Sequence, residues 1–99
     1  FVTDGKRAVR IEGGSPLMPR VTALGCSLTC LVGAFAAIRP ADPFIASVAA
    51  LAVFAVAGER AGNVSEGPGS FGWRFLDALS GLDPADLDRE ARLAEAVPA

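Results

Sequence analysis

The sequence predicts an α/β fold in which a β-hairpin is followed by three to four helices. Three observations lead to this prediction. The first stretch alternates apolar and polar residues around an Asp-Gly dipeptide, which is typical of a hairpin. Two long uncharged runs follow, separated by a short segment that contains Arg39-Pro40. The last third carries apolar residues at helical spacing and then an acidic segment, which predicts further helices.

The hairpin is predicted over "FVTDGKRAVRIEGG", where Asp4-Gly5 forms the turn and Gly13-Gly14 ends the second strand. We expect "SPLMPR" to be an extended connector, because proline restricts both itself and the residue before it.

The two uncharged runs predict two long helices. The first is expected over 21–38, before Arg39-Pro40. The second begins where Asp42 can cap a helix that has proline at its first position, and we expect it to close near Gly62. Its many alanines and Gly58 would allow neighbouring backbones to approach closely.

The last third predicts an amphipathic helix and a short acidic helix. We expect "SEGPGSF" to be a rigid loop in which Ser70 caps the next helix. An apolar stripe marks that helix, and Gly81 ends it: Phe71, Phe75, Leu79, Leu82. From Asp83 to Glu95 we expect a solvated helix with a carboxylate at its cap.

Composition restricts the classes of function. Nine basic and eleven acidic residues give a net charge of −2 with no basic block, which disfavours binding of nucleic acid. The chain has no histidine, and we predict no metal-ligating residue in it. Its two cysteines are four residues apart, a spacing at which a disulfide fits poorly. Free thiols indicate a reducing compartment, so we expect a cytoplasmic protein.

The uncharged runs leave a membrane hairpin open as an alternative to paired buried helices. The second run is short and continues into Glu59-Arg60. The first begins with small and polar residues, and no aromatic belt flanks either run. We therefore predict two buried helices and no membrane partner.

The segment "VTALGCSLTCLVGAF" carries a resemblance to a known family. Together with "FVTDGKRAVRIEGGSPLMPR" before it and "GERAGNVSEGPGSFGWRFLDAL" after it, this segment resembles the C-terminal part of the hydroxyethylthiazole kinases, over about residues 1–94. These kinases belong to the ribokinase-like superfamily. The chain also begins at Phe1 in what looks like the middle of a strand. Residues 1–99 are therefore expected to be the C-terminal portion of one ribokinase-like domain whose N-terminal part is missing.

The resemblance implies a fold and a reaction. The fold is a mostly parallel central sheet flanked by helices. The reaction is phosphorylation by ATP, with Mg²⁺, of the primary alcohol of 4-methyl-5-(2-hydroxyethyl)thiazole, a step in thiamine salvage. Members of the family resemble one another in forming trimers with substrate pockets at subunit contacts, so a homotrimer is expected of the full-length protein.

The start of the first long helix is the predicted active site. Amides from Leu24, Gly25 and Cys26 would form an anion hole for the transferred phosphoryl group, because a helix start has unpaired N–H groups and a partial positive charge. The resemblance places Cys26 where most ribokinase-like enzymes have a catalytic aspartate. There it would act as a weak base or orient the substrate hydroxyl.

This chain departs from the family pattern, commonly G-T-G-C or G-A-G-C, at two positions. Ala23 stands where the first glycine contacts the thiazole, and Leu24 is bulky and expected to point away. A variant thiazole is therefore possible as substrate. Another ribokinase-like kinase, of the hydroxymethylpyrimidine or pyridoxal type, stays an alternative that Cys26 disfavours. A non-catalytic helical interaction domain is the other alternative.

Several other residues are predicted to be structural. Cys30 should face the core, and Thr29 should bond to nearby backbone. Trp73 should pack rather than stack on a base, and Glu59-Arg60 should form a solvated helix end.

Overall fold

A computed structural model describes residues 1–96, so the predicted domain end at residue 99 lies outside the described residues. The element order is β1 (Val2–Thr3), β2 (Ala8–Glu12), a 3₁₀ helix (Met18–Arg20), α1 (Leu24–Ile38), α2 (Pro43–Val64), α3 (Pro68–Gly81), α4 (Pro84–Glu90) and β3 (Arg92–Ala96). The predicted α/β order of a hairpin followed by helices is confirmed.

The three strands form one antiparallel sheet with β2 in the centre. Val2 pairs with Val9 in the predicted hairpin. The turn is closed by Asp4, whose Oδ1 accepts the N–H groups of Lys6 at 2.9 Å and Arg7 at 2.7 Å. These hydrogen bonds favour the carboxylate and lower the pKa of Asp4 to about 2. Because both strand pairings are antiparallel, the mostly parallel sheet that the resemblance implies is not found among residues 1–96.

Strand β3 corrects the prediction of a single acidic helix up to Glu95. Helix α4 ends at Glu90, and the next residues pair with β2, with Leu93 opposite Ile11. The sequence of β3, "RLAEA", contains no β-branched or aromatic residue, so its local propensity gives no strand signal. It becomes a strand because the hairpin leaves the other edge of β2 open for pairing.

The core lies between α2 and α3. Phe71 and Phe75 are fully buried on the predicted stripe, and Phe54 of α2 meets Phe75 with ring centroids 4.8 Å apart. Phe71 and Phe75 stack at 5.8 Å. Small residues on α2, such as Ala57 and Ala61, are buried against these rings. Because α2 also contacts α1, α4 and the sheet, it is the central helix of this part of the chain.

The connector before α1 packs tightly on α2. A Cβ added to Gly58 would lie 2.6 Å from Met18 Sδ, so the prediction of a close approach at Gly58 is confirmed. The connector itself is not fully extended, because Met18–Arg20 form a 3₁₀ helix. Ser15 starts this turn: its Oγ accepts the N–H of Leu17 at 3.2 Å, and its carbonyl accepts that of Met18 at 3.1 Å.

The capping residues fix the helix starts. Asp42 accepts the N–H of Ile45 at 3.2 Å, as predicted for the N-cap of α2. The loop predicted around Ser70 is instead the first turn of α3, which begins at Pro68. Ser70 stabilises that start from within the helix, since its Oγ accepts the N–H groups of Glu66 and Gly67 at 3.2 and 3.4 Å.

The two apolar helices differ in burial, which corrects the prediction that both are buried. Ten residues of α2 are buried, whereas no residue of α1 is.

Helix α2 is also the one helix among residues 1–96 that is long and apolar enough to cross a membrane, and 56% of its apolar window is buried inside the fold. A membrane hairpin needs two such spans, and α1 has only 15 residues.

The end of α2 is held by ion pairs rather than simply solvated, which corrects the prediction for Glu59-Arg60. Arg60 donates from Nε to Glu90 Oε1 at 2.9 Å and pairs with Asp86 at 3.0 Å. Glu59 pairs with Arg92 at 3.2 Å. The Arg60 guanidinium lowers the pKa of Glu90 below its ordinary value of 4.5. Asp86 has a pKa below 3.8, because the Asp83 N–H and then Arg60 stabilise its carboxylate.

These lowered pKa values predict a pH-dependent effect of Arg60→Ala. The stabilisation from Asp86 and Glu90 is complete above their ordinary pKa values of 3.8 and 4.5, and is lost as the pH falls through their lower folded values. We expect Arg60→Ala to lower the melting temperature of the full-length protein at neutral pH. The difference from the parent should shrink in acid, and thermal unfolding followed by circular dichroism measures it.

The matched control is Arg39→Ala, since Arg39 is exposed and makes no ion pair among residues 1–96. Its effect should be small and independent of pH. A difference for Arg60→Ala that persists unchanged in acid would show that the ion pairs do not stabilise the end of α2.

Candidate functional site

The start of α1 exposes a set of backbone donors. The helix begins at Leu24, three residues into the uncharged run, and its first hydrogen bond runs from the Ser27 N–H to the Ala23 carbonyl at 3.0 Å. The amides of Leu24, Gly25 and Cys26 precede this bond and have no acceptor among residues 1–96. Three adjacent free donors at the positive end of a helix dipole can bind an anion.

Ala23 precedes the helix in a conformation that alanine rarely adopts. Its φ of 67° and ψ of 8° are left-handed, and no side chain within residues 1–96 caps the helix. An L-residue loses about 1–2 kcal/mol in this region relative to right-handed backbone, whereas glycine does not. The family pattern given above has glycine here, so the departure at Ala23 places strain directly beside the free amides.

We expect Ala23→Gly to raise the free energy of unfolding by up to about 1 kcal/mol, because relief of the left-handed strain exceeds the entropy that glycine loses on folding. Urea denaturation of the full-length protein measures the change. The control is Ala34→Gly in the middle of α1, which should lower stability by about 0.5–1 kcal/mol. Destabilisation by both variants would contradict the strain at Ala23.

Gly25 borders open space. A Cβ added to Gly25 meets nothing within 4 Å outside the backbone of its own helix, so packing among residues 1–96 does not require glycine there. The space beside the free amides is therefore available to a bound group. A side chain at this position would enter that space.

Cys26 lines a groove of about 740 Å³ that runs between α1 and α3. Ala23 and Leu24 line the same groove, so the structure brings three of the predicted site residues to one cavity. Leu24 also packs against the core cluster, and the expectation that it points away from the phosphoryl path stays a prediction. The remaining lining is mostly apolar and contains no charged side chain from the described part of the chain.

Cys30 corrects a prediction. It is exposed and lines the groove with Cys26, rather than facing the core. Residues four apart share a helix face, and this face of α1 is turned to the groove. The i, i+4 spacing was a signal that could have identified Cys30 as a groove residue. Thr29 is local, as predicted, since its Oγ1 donates to the Gly25 carbonyl at 3.1 Å.

Trp73 is also not where it was predicted. It is 55% exposed and lies beneath the Arg74 guanidinium, 4.6 Å from the ring centroid, instead of packing in the core. Sequence reasoning also did not identify the wall opposite α1, which α3 forms with Leu76 and Leu79. That wall depends on how α3 packs, which no local pattern specifies.

Comparison with known proteins identifies the family of the chain. The sequence profile of the "HK: Hydroxyethylthiazole kinase family" matches residues 1–85. The chain is 74% identical over 93 residues to a hydroxyethylthiazole kinase of Rhizobium rhizogenes, covering 94% of this chain and 35% of that protein. It is 65% identical over 96 residues to one of Cereibacter sphaeroides, covering 97% of this chain and 36% of the relative.

A solved structure indicates the same family. The hydroxyethylthiazole kinase protein from Pyrococcus horikoshii OT3 superposes with a TM-score of 0.89 at 33% identity, over 96% of this chain and 37% of that one. The chain thus spans about a third of the length of the relatives it matches. These matches argue against an unrelated helical interaction domain. The chain belongs to the hydroxyethylthiazole kinase family.

Proposed function

We propose that this chain forms the phosphate-binding end of the active site in a longer hydroxyethylthiazole kinase. The full-length enzyme would use ATP to phosphorylate the primary alcohol of 4-methyl-5-(2-hydroxyethyl)thiazole in thiamine salvage. One observation carries the proposal. In a member of this family, the three amides of Leu24, Gly25 and Cys26 are free at the start of α1, beside an open groove.

The free amides suit phosphoryl transfer. In its loose transition state, negative charge is spread over the oxygens of the transferred group, and catalysis depends on positioning and electrostatic stabilisation. Donors that are already oriented stabilise this charge without reorganising. The amides are held by the helix that follows them, and the absent side chain of Gly25 allows a phosphoryl oxygen to approach.

Cys26 is proposed to act on the substrate alcohol. Its thiol is exposed in the groove and its amide is one of the three free donors, so a hydroxyl near the thiol would also be near the phosphoryl group. A loose transition state needs little removal of the alcohol proton before attack. Cys26 therefore orients the hydroxyl, and as the thiolate it accepts the alcohol proton as a weak base.

Ala23 is proposed to contact the thiazole from the same groove. Because a methyl group replaces the hydrogen of the usual glycine, the pocket is narrower at this point. This favours the thiazole named above or a close variant with less bulk where it meets Ala23.

Residues 1–96 offer donors for a phosphate but no set of ligands for a metal ion. The three free amides are donors for phosphate oxygens, so they would hold the transferred end of ATP, which supplies the phosphoryl group when bound. No carboxylate lines the groove in the described part of the chain, and oxygen ligands are what Mg²⁺ requires. We therefore assign no role here to Mg²⁺, although kinases of this kind are expected to use it.

We also propose that the full-length protein is a cytoplasmic homotrimer without nucleic-acid or membrane partners. The family resemblance supports the trimer, and the lack of a basic block in a chain of net charge −2 argues against nucleic acid. Sedimentation equilibrium of the full-length protein tests the trimer directly.

Replacement of Cys26 tests the proposed function. In the full-length enzyme we expect Cys26→Asp to keep or raise kcat for the thiazole alcohol, because a carboxylate in the same place is already deprotonated at neutral pH and can accept the alcohol proton. Cys26→Ala should lower kcat by roughly 100-fold, within the usual range for general bases. Coupled detection of ADP measures both.

The control is Cys30→Ser, which changes an exposed thiol one turn away and should leave kcat close to that of the parent. If Cys26→Ala were as active as the parent while Cys30→Ser remained normal, Cys26 would have no catalytic role. If the unmodified full-length enzyme did not phosphorylate a hydroxyethylthiazole, the proposed function would be wrong.

A further inference from the structure

Helix α1 presents two thiols to one groove. Cys26 and Cys30 are both exposed, both free, and both line the cavity between α1 and α3. They are the only cysteines of the chain. Residues four apart in a helix lie one above the other, with Cβ atoms about 5–6 Å apart. The two sulfurs are therefore neighbours in a space large enough for a small ligand.

The spacing decides what the pair can do. A disulfide needs Cβ atoms about 3.5–4.5 Å apart, so direct oxidation of the two thiols to a disulfide is disfavoured on a regular helix. A bridge with one further atom between the sulfurs spans a longer distance. The pair is thus better suited to share a thiophilic atom than to bond to each other.

Among residues 1–96, neighbouring side chains leave both thiols available. Ser27 lies between them in sequence, but its Oγ donates to the Ala23 carbonyl at 2.9 Å. Thr29 is similarly committed to the Gly25 carbonyl. The groove contains no charged side chain, and residues 1–96 hold no cluster of three or more side chains that could bind a metal ion. The two thiols therefore suit a thiophilic atom that needs only two sulfur ligands better than a zinc ion, which takes four ligands.

We propose that Cys26 and Cys30 form a dithiol site that binds a trivalent arsenical, and that this binding blocks phosphoryl transfer. In the reaction with an aryl arsenoxide, both S–H bonds and the arsenic–oxygen double bond break. Two As–S bonds form, and the oxygen leaves as water with the two protons. Arsenic stays trivalent and neither sulfur is oxidised.

The two sulfurs act together in this site. Once Cys26 has bonded to arsenic, the bond to Cys30 forms within one molecule and at a high effective concentration, which typically raises affinity by 10²–10⁴-fold. The apolar walls from Leu31, Phe75 and Leu79 would surround the aryl ring. The block of phosphoryl transfer rests on the proposed function, because it requires Cys26 to lie at the reacting groups. Binding of the arsenical to the two thiols does not depend on the proposed function.

The test uses full-length enzyme and phenylarsine oxide, with binding and activity measured separately. Intact mass spectrometry should show one arsenical per chain with loss of one water, and tryptic mapping should place it on the peptide that contains both cysteines. Kinase activity should be lost in parallel and restored by 2,3-dimercaptopropanol but not by an equal amount of a monothiol. In Cys30→Ser, inhibition measured relative to that variant's own uninhibited rate should require at least roughly 100-fold more arsenical.

The outcomes separate the two ideas. If Cys30→Ser or Cys30→Ala were inhibited at the same concentration as the parent, or if the parent bound no arsenical at this peptide, the dithiol site would be overturned. If the bridged adduct formed but the enzyme stayed fully active, the dithiol site would stand as a binding site. The prediction that the adduct inhibits the enzyme, and the proposed role of Cys26, would then be wrong.

Discussion

Gly25→Val in the full-length enzyme is expected to lower kcat/KM at least roughly 100-fold, the usual effect of removing preorganised donors from a developing charge. The isopropyl group would occupy the open space beside the free amides and exclude the phosphoryl oxygens. The fold should survive, since a Cβ at Gly25 meets nothing within 4 Å and valine is no worse than glycine in a helix. Steady-state kinetics and far-ultraviolet circular dichroism measure the two effects.

Gly33 offers a matched control in the same helix. A Cβ added there also meets nothing within 4 Å, but Gly33 is far from the helix start. We expect Gly33→Val to retain activity within a few-fold of the parent. Equal loss in both variants would mean that α1 as a whole is disturbed, and full activity in Gly25→Val would exclude the anion hole.

Phe75→Ala should have the largest effect on stability, lowering the free energy of unfolding by about 3–5 kcal/mol. Phe75 is 2% exposed and contacts both Phe54 and Phe71, so truncation removes buried area and leaves a cavity between α2 and α3. Urea denaturation of the full-length protein measures the loss.

Leu76→Ala is the control for this core prediction. Leu76 is the next residue of α3 and is 64% exposed, so its truncation should cost less than about 1 kcal/mol. Similar losses for the two variants would show that the phenylalanine cluster does not dominate the stability of this region. It would also mean that Leu76 is covered in the full-length protein.

Local signals were enough for much of the fold. The hairpin follows from alternation around Asp4-Gly5, and two helix starts follow from aspartates that cap them, Asp42 and Asp83. The amphipathic stripe of α3 correctly predicted Phe71 and Phe75 as core residues. Each of these features depends on side chains within a few residues of the backbone they organise.

The features that sequence reasoning missed depend on distant partners. Strand β3 forms only because β2 has a free edge, and Arg60 is held by Glu90, which is 30 residues away. The burial of α1 could not be read from its apolar composition, since an apolar helix is buried only where other elements cover it. Residues 1–96 leave its groove face uncovered.

The helix start that holds the candidate site was predictable, but the local backbone conformation was not. A glycine and a cysteine at the mouth of an apolar run indicated a helix start, and Leu24 to Cys26 are the first residues of α1. Their role as an anion hole stays a prediction. The left-handed backbone of Ala23 was not predictable, because alanine has no intrinsic preference for that conformation.

A crystal structure of the full-length enzyme with a non-hydrolysable ATP analogue and the thiazole alcohol tests the anion hole most directly. We predict that an oxygen of the terminal phosphoryl group lies within about 3 Å of the amide nitrogens of Gly25 or Cys26. A terminal phosphoryl group bound elsewhere, with these amides bonded only to water or to other parts of the protein, would contradict it.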